Sequence, residues 1–222
     1  QKEFAEFLID ERALQFGRFE LKSGRISPYF FNTSAFNSGN TVEKLGYFYA
    51  EAILRHLPQC TSVFGPAYKG IPLCLSSAIT LTHLSKKDIG YFFDRKEKKA
   101  HGDQGLLVGK IPQESEVIVL VDDVITDGQT KIEAIENLKN WFGLSISAVF
   151  VAFDRLEKND EGIQASQAFS EKTGIPVHAI ITIYDVLSLL KEEGFKDTDQ
   201  VPESSVEEIE TYLKIYSNLN SF

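Results

Sequence analysis

Hydrophobic residues recur along the chain at two spacings, which predict helices and strands in alternation. Apolar residues three or four positions apart predict helices over 3–14, 41–57, 71–81, 163–173, 184–191 and 204–219, and a further helix through Ile132, Ile135, Leu138 and Phe142. Short apolar or aromatic runs predict strands over 18–22, 27–32, 61–64, 89–93, 117–121, 145–153 and 177–183. Gly17 is predicted to end the first helix. The alternation predicts an α/β fold in one domain over 1–222, with a mostly parallel central sheet and a small N-terminal hairpin.

The stretch 117–130, VIVLVDDVITDGQT, is the centre of the functional interpretation. Its unbroken apolar start predicts a strand buried on both faces, and Asp122 and Asp123 stand where such a strand reaches the ligand-binding edge of a parallel sheet. The loop that follows carries Thr126, Gly128 and Thr130. Amides at a helix N-terminus can hold a phosphate, and paired carboxylates can bind ribose hydroxyls. The stretch is interpreted as a phosphate and sugar site, although a strand that ends in a solvated turn also fits the pattern.

Composition limits the classes of function. The chain has 222 residues, of which 43% are hydrophobic, and its formal net charge of −9 argues against a nucleic-acid-binding surface. No stretch of about 18 apolar residues predicts a membrane span, and no apolar leader opens the sequence. Cys60 and Cys74 lack metal-ligand spacing, which predicts buried free thiols in a reducing compartment. We therefore expect a cytoplasmic protein that binds neither nucleic acid nor membranes.

The stretch 117–130 resembles the motif with which type I phosphoribosyltransferases bind 5-phosphoribosyl 1-diphosphate (PRPP). The resemblance implies the fold of that family and a PRPP site. Asp122 and Asp123 would hold the ribose hydroxyls, while the loop would hold the 5′-phosphate. The loop residues are Val124, Ile125, Thr126, Asp127, Gly128, Gln129 and Thr130. Asp127 departs from the family pattern, which usually has a small residue or arginine after the first hydroxyl. An anion beside a phosphate is electrostatically unfavourable.

A second loop, GPAYKGIP over 65–72, follows the strand predicted at 61–64. A turn rich in glycine and proline is ordinarily only a turn, but loops after parallel strands are also where α/β folds bind ligands. This segment resembles the pyrophosphate loop of the same family, which implies that Tyr68 and Lys69 contact PRPP.

A basic segment, RKEKKAHG over 95–102, is the dense cationic cluster of an acidic chain. A solvated charged loop is the plain interpretation, whereas flanking glycines and an anionic ligand favour a mobile lid over about 94–107. The segment resembles the catalytic loop of orotate phosphoribosyltransferases. The resemblance implies that Arg95, Lys96, Lys99 and His101 bind pyrophosphate oxygens, and that Lys98 is incidental. It further implies a homodimer in which this loop closes over the site of the neighbouring subunit.

The N-terminal segment LKSGRISPYFFN, over 21–32, resembles the corresponding segment of orotate phosphoribosyltransferases, which forms a hood over the pyrimidine in that family. The hood is predicted over about 17–35, with Lys22 reaching both ligands and the backbone of Phe30 and Phe31 binding the heterocycle; a hairpin with aromatic core filling fits the composition equally well. Arg155, after the strand predicted at 145–153, takes the family's orotate-carboxylate position, and Thr126 also reaches the orotate side. The structural alternative for Arg155 is an ion pair with Asp154, Glu157 or Asp160.

The resemblance covers roughly 13–193 and implies transfer of the phosphoribosyl group from PRPP to orotate, a step of uridine monophosphate synthesis. The implied catalytic residues are Lys99, Asp122, Asp123, Arg95 and His101. The implied cofactor is Mg²⁺, held mainly by PRPP and through water by Asp122 and Asp123. A transferase for another base and a PRPP-sensing regulator without enzymatic activity are the alternatives. Lys22 and Arg155 favour orotate, and the acidic charge disfavours a nucleic-acid-binding regulator. The C-terminal helix at about 204–219 lies beyond the resemblance and has no assigned role.

Overall fold

The computed structural model describes residues 1–21, 23–95, 106–126, 128–159, 161–192, 195 and 199–218. Its helices are α1 (Lys2–Asp10), α2 (Gly39–His56), α3 (Gly70–Ser85), α4 (Gln129–Phe142), α5 (Ala165–Thr173), α6 (Ile183–Lys191) and α7 (Ser205–Tyr216). Its strands are β1 (Leu14–Glu20), β2 (Ile26–Phe31), β3 (Ser62–Phe64), β4 (Gly90–Asp94), β5 (Leu107–Gly109), β6 (Ile118–Val124), β7 (Ile146–Asp154) and β8 (Val177–Thr182). A 3₁₀ turn covers Thr33–Ala35.

Six strands form the central sheet in the order β5-β4-β3-β6-β7-β8. Neighbouring strands run parallel from β4 to β8, and β5 is antiparallel to β4 at one edge. β1 and β2 pair as an antiparallel hairpin, which we call the hood hairpin. The predicted parallel sheet and N-terminal hairpin are therefore confirmed. β5 was not predicted, because three residues are too few to show a periodicity.

The two faces of the sheet are both covered by helices, as the apolar strand at 117–121 predicts. In β6, Val119 and Val121 pack into a cluster with residues of α1, α2, α3, α6 and α7. Ile118 and Leu120 pack on the opposite face, in a cluster with residues of α4 and α5. This alternation explains why β6 is apolar at consecutive positions.

Both cysteines are buried free thiols, as predicted. Burial raises the pKa of Cys60 to about 11 and that of Cys74 to about 12, so both remain protonated at neutral pH. Among the described residues, no helix has the length and apolar character needed to cross a membrane.

The first helix is shorter than predicted. α1 ends at Asp10, Arg12 adopts a left-handed conformation with φ of +55°, and Leu14 begins β1 by pairing with Phe31. Leu14 continues the helical spacing of the apolar residues before it, but strand pairing decides its conformation. The prediction that Gly17 ends the helix is also wrong, since Gly17 lies within β1 at an irregularity of the strand register.

The C-terminal helix is confirmed with narrower bounds, since α7 covers Ser205–Tyr216. Ser204 occupies the N-cap position, although its side chain makes no capping hydrogen bond.

Candidate active site

The candidate site lies at the carboxyl edge of the central sheet, where the neighbouring strands β3, β6 and β7 end. The turn over 65–69 follows β3, the loop with Thr126 follows β6, and Arg155 follows β7. Parallel neighbours deliver their C-terminal ends to the same edge, so segments far apart in sequence converge there. The strand continues to Val124, which places the acidic pair within the last residues of β6 rather than after them.

Asp123 joins three elements of the site. Its Oδ2 accepts hydrogen bonds from Lys69 Nζ at 2.8 Å and from Thr33 Oγ1 at 3.0 Å, and its Oδ1 accepts one from the amide of Val124 at 2.9 Å. Burial opposes ionisation, but the ammonium of Lys69 and these hydrogen bonds lower the pKa of Asp123 below its ordinary value. Asp123 is therefore an anion that connects the turn after β3 to the residues after the hood hairpin.

Asp122 is paired with a buried lysine of α4. Lys131 Nζ lies 2.6 Å from Asp122 Oδ2 and donates a hydrogen bond of 2.7 Å to the carbonyl of Val124. The hydroxyl of Tyr49 donates to the backbone carbonyl of Asp122 at 2.6 Å. Burial raises the pKa of Asp122, and the neighbouring Asp123 adds to this, against the opposing effect of Lys131. The two carboxyl groups thus differ in acidity, with Asp123 the stronger acid.

The loop after β6 presents backbone and hydroxyl groups at the start of α4. Gly128 has φ of +70°, and a Cβ there would lie 2.7 Å from the ring of Phe169, so glycine is required at this point. Thr126, Gln129 and Thr130 are exposed, whereas Ile125 is buried in the core. Ile125 can therefore meet a ligand only through its backbone, whereas Val124 is half-buried. Asp127 lies outside the described residues.

The turn after β3 is closely packed upon itself. A Cβ at Gly65 would lie 2.1 Å from the carbonyl oxygen of Gly70, which leaves no room for a side chain. The amide of Ala67 donates to Asp94 Oδ1 at 2.6 Å, which ties the turn to the end of β4. Beyond this rigid base, Tyr68 is 72% exposed, and the side chain of Lys69 is 68% exposed although its ammonium meets Asp123. Both predicted PRPP ligands of this turn are therefore accessible.

The hood hairpin places its aromatic residues in different surroundings. Phe30 is 37% exposed and stacks on Phe19 with 5.5 Å between ring centroids. Phe31 is half-buried and stacks on Phe153 at 5.1 Å. Phe31 thus contributes to the core, as the aromatic-filling interpretation predicts, and Phe30 leaves a ring face near the surface. Lys22, between the two strands, lies outside the described residues.

Arg155 has the ion pair that the structural alternative predicts, and Glu157 is the partner. Its Nη2 lies 2.6 Å from Glu157 Oε1, its Nε donates to the same oxygen at 2.8 Å, and Nη2 also donates to Ser27 Oγ at 2.9 Å. The guanidinium carbon lies 4.2 Å from the ring centroid of Tyr29. Asp154 instead accepts from the amide of Leu156, and Asp160 lies outside the described residues.

Arg95 lies at the end of β4, next to the turn after β3. Its amide donates to the carbonyl of Leu106 at 2.8 Å, so the segment between them begins and ends at the same sheet edge. Arg95 Nε is buried without a hydrogen-bond partner in the described part of the chain, which leaves a cationic donor available to an anion. The other predicted residues of this segment, Lys96, Lys99 and His101, lie outside the described residues.

Comparison with known proteins identifies the family, although a scan against family models found no match. The chain is 45% identical over 190 residues to the orotate phosphoribosyltransferase of Bifidobacterium adolescentis, with 82% of each chain covered. It is 45% identical over 196 residues to that of Halorhodospira halophila, covering 88% of this chain and 90% of the relative. The crystal structure of the Francisella tularensis enzyme superposes with a TM-score of 0.83 and 34% identity, over 97% of this chain and all of the other. The chain belongs to the orotate phosphoribosyltransferase family.

The family motifs read from the sequence converge in space where the structure describes them. Lys69 of the pyrophosphate loop meets Asp123 of the PRPP motif, and Arg95 of the catalytic loop follows the strand next to that loop. Thr126 and Arg155 follow the adjacent strands β6 and β7. The fold therefore brings these separated motifs to one edge of the sheet.

Sequence reasoning missed three residues that support the acidic pair. These are Thr33, Tyr49 and Lys131. One signal was available for Lys131, because a lysine in the first turn of a helix opposes the helix dipole and so suggests a specific acidic partner. No sequence pattern indicates the contacts of Thr33 and Tyr49, because their partners Asp123 and Asp122 lie 90 and 73 positions away along the chain.

Proposed function

We propose that this chain transfers the 5-phosphoribosyl group of PRPP to orotate, which yields orotidine 5′-phosphate and pyrophosphate for uridine monophosphate synthesis. The observation that carries the proposal is the contact between Lys69 and Asp123, at 2.8 Å, in a chain of this family. It joins a diphosphate-binding turn to a ribose-binding carboxylate, and these are the two halves of a PRPP site.

The proposed reaction asks for charge stabilisation rather than a nucleophilic side chain. Orotate is an anion with an electron-rich ring nitrogen, while the ribose carbon becomes cation-like as pyrophosphate leaves. Asp122 and Asp123 hold the ribose hydroxyls, and the exposed Lys69 and Tyr68 meet the diphosphate. Arg95, with Lys96, Lys99 and His101, adds positive charge at the leaving group, where a preorganised donor is most effective.

The proposed cofactor is Mg²⁺, and the carboxylate oxygens at the sheet edge are the donors that this ion prefers. Lys131 and Lys69 already engage Asp122 and Asp123, which fits contact through water rather than direct ligation. Among the described residues, no cluster of three or more His, Cys, Asp or Glu side chains could enclose a metal. When bound to PRPP, the ion supplies charge neutralisation on the diphosphate.

A base panel tests the proposed reaction directly. The protein is incubated with PRPP, Mg²⁺ and one of orotate, uracil, adenine or hypoxanthine, and pyrophosphate release is followed. We expect release with orotate and only background release with the other bases or after removal of Mg²⁺ by a chelator. Release with a purine instead would contradict the proposed substrate, and undiminished release after chelation would contradict the proposed cofactor.

We assign the orotate carboxylate to Arg155, whose planar guanidinium can bind a carboxylate through two hydrogen bonds. Arg155→Ala is expected to raise the KM for orotate about 10- to 100-fold, the range for losing charged hydrogen bonds. The KM for PRPP should change by less than about twofold, because PRPP is bound by other loops. Steady-state kinetics with each substrate varied in turn measures both constants, and an unchanged orotate KM removes Arg155 from the site.

We also propose a cytoplasmic homodimer. Two buried free thiols fit a reducing compartment. The groove between α2 and α3 has a volume of about 680 Å³ and carries the exposed apolar residues Tyr47, Leu75 and Ile79, which fit a surface covered by a second copy. Light scattering on the purified protein should give about twice the 24.9 kDa of the chain, and a monomeric mass at micromolar concentration would contradict the dimer.

A further inference from the structure

A polar cluster behind Arg155 connects the orotate end of the site to the C-terminal helix. Glu157 is its centre, with a side chain that is 15% exposed. Its Oε1 accepts hydrogen bonds from Arg155 Nε and from the hydroxyl of Tyr212, both at 2.8 Å, and a longer one of 3.4 Å from the hydroxyl of Tyr29. Arg25 Nη1 approaches Oε2 at 3.4 Å. The cluster thus draws on β2, the residues after β7, and α7.

The helix α7 holds this cluster through side chain and backbone. Tyr212 is 5% exposed, and burial together with the charge of Glu157 raises the pKa of Tyr212 to about 12, so its hydroxyl is a hydrogen-bond donor at neutral pH. The ring of Tyr216 lies 4.9 Å from the guanidinium carbon of Arg25. The backbone carbonyl of Tyr216 also accepts a hydrogen bond of 2.7 Å from the amide of Lys158, next to Glu157. The helix α7 therefore holds both charged partners of Glu157. It contacts Arg25 through the ring of Tyr216, and it holds Arg155 through the hydrogen bond of Tyr212 to Glu157.

These contacts determine the orientation of the Arg155 guanidinium. Glu157 engages Nε and Nη2, Ser27 engages Nη2, and the ring of Tyr29 lies against the guanidinium plane. The hydrogen bonds to Glu157 and Ser27 hold the guanidinium in place without using Nη1, and Nη1 is the nitrogen that we assign to a ligand carboxylate. A guanidinium fixed beforehand loses less conformational entropy when the ligand binds.

The charge of the cluster fits an anionic ligand. Glu157 alone would neutralise Arg155 and weaken its attraction for a carboxylate. Arg25 supplies a second cation, so Arg25, Glu157 and Arg155 together carry one positive charge. The cluster can therefore orient Arg155 without removing the positive charge that the ligand needs.

We infer that Glu157 and Tyr212 are positioning residues for Arg155, which makes the C-terminal helix part of the recognition of the orotate carboxylate. The inference rests on the proposed role of Arg155 and adds two residues that act through it. It predicts that changes in α7 alter the affinity for orotate in preference to that for PRPP.

Two variants and a matched control test the inference by steady-state kinetics. Glu157→Gln keeps the shape of the side chain but removes its charge, and should raise the KM for orotate about tenfold. Tyr212→Phe should raise it about three- to tenfold, whereas the KM for PRPP stays within about twofold in both. Tyr184→Phe is the control, because it removes a tyrosine hydroxyl that donates to Ser217 Oγ at 2.8 Å. Ser217 follows α7 and its backbone forms a β-bridge with Glu157, so the control perturbs the same junction through a hydrogen bond that does not involve the Glu157 carboxylate. It should leave both constants within about twofold, and thermal melting of each variant checks that the fold is retained.

The decisive comparison places Glu157→Gln in an Arg155→Ala background. If Glu157 acts through Arg155, it should have no further effect on the orotate KM in that background, since coupled residues are not additive. Additive effects, or a lower orotate KM in Glu157→Gln alone, would overturn the inference and leave the role of Arg155 standing. An Arg155→Ala variant with unchanged orotate KM would overturn the role of Arg155 and the inference together.

Discussion

Lys99→Ala is expected to lower kcat about 100- to 1,000-fold, the effect of losing one preorganised donor to a developing negative charge, or roughly 3–4 kcal/mol. The described residues on either side of this segment support the prediction. Arg95 and Leu106 are hydrogen-bonded to each other at the end of β4, and the end of β4 is tied to the turn after β3 by the hydrogen bond between Ala67 and Asp94. The two described ends of the segment therefore lie beside the turn that carries Lys69. The orotate KM should change little, because Arg155 follows β7, which lies two strands from β3 in the central sheet.

A second lysine of the same segment provides the control for this prediction. Lys98→Ala removes the same charge from a position that the family pattern does not use, so kcat should fall by less than about threefold. Single-turnover measurements would separate the chemical step from product release. Wild-type kcat in Lys99→Ala, or equal losses in both variants, would contradict a specific leaving-group role.

Lys131→Met is expected to destabilise the protein by about 3–5 kcal/mol at neutral pH, the usual cost of removing one partner of a buried ion pair. Lys131 is 6% exposed and lies 2.6 Å from the carboxylate of Asp122, which methionine would leave buried without its cation. Denaturant unfolding at pH 7 measures the loss. Lys139→Met, an exposed change on the same helix, should alter the free energy of unfolding by less than about 0.5 kcal/mol.

The same variant should shift the pH dependence of activity. Burial already raises the pKa of Asp122, and removing the opposing ammonium of Lys131 raises it further. Asp122 would then be protonated at higher pH, so kcat/KM for PRPP should begin to fall at a higher pH than in the wild type. A carboxyl group whose pKa is raised in the folded state destabilises the protein when it is ionised, and this cost disappears as the group becomes protonated. The loss of stability in Lys131→Met should therefore shrink as the pH falls towards the ordinary aspartate pKa of about 3.9. A loss that grows on acidification would contradict the assignment.

The fold could be predicted from sequence where burial on one or two faces imposes a clear periodicity. The apolar runs of β6 and β7 and the amphipathic α2 and α4 are of this kind. The prediction failed at Leu14, where helical spacing and strand pairing compete and the partner Phe31 is remote in sequence.

The candidate site could also be predicted only in part. Its loops were predictable because parallel strands bring their C-terminal ends to one edge, which places Lys69 near Asp123 without knowledge of side-chain geometry. The partners of Asp122 and Asp123 were not, because a hydroxyl or ammonium has no periodicity that indicates its contact. For Arg155, the sequence offered three acids, and packing of α7 against the residues after β7 favours Glu157.

The absence of space beside Gly65 has a consequence for engineering the enzyme. A methyl group there would press on the carbonyl of Gly70 and push apart the two ends of the turn, moving Lys69 away from its carboxylate partner. Attempts to change base specificity should therefore leave this turn untouched and begin at the hood hairpin, where the ring of Phe30 is partly exposed and stacks on the side chain of Phe19 rather than on main chain.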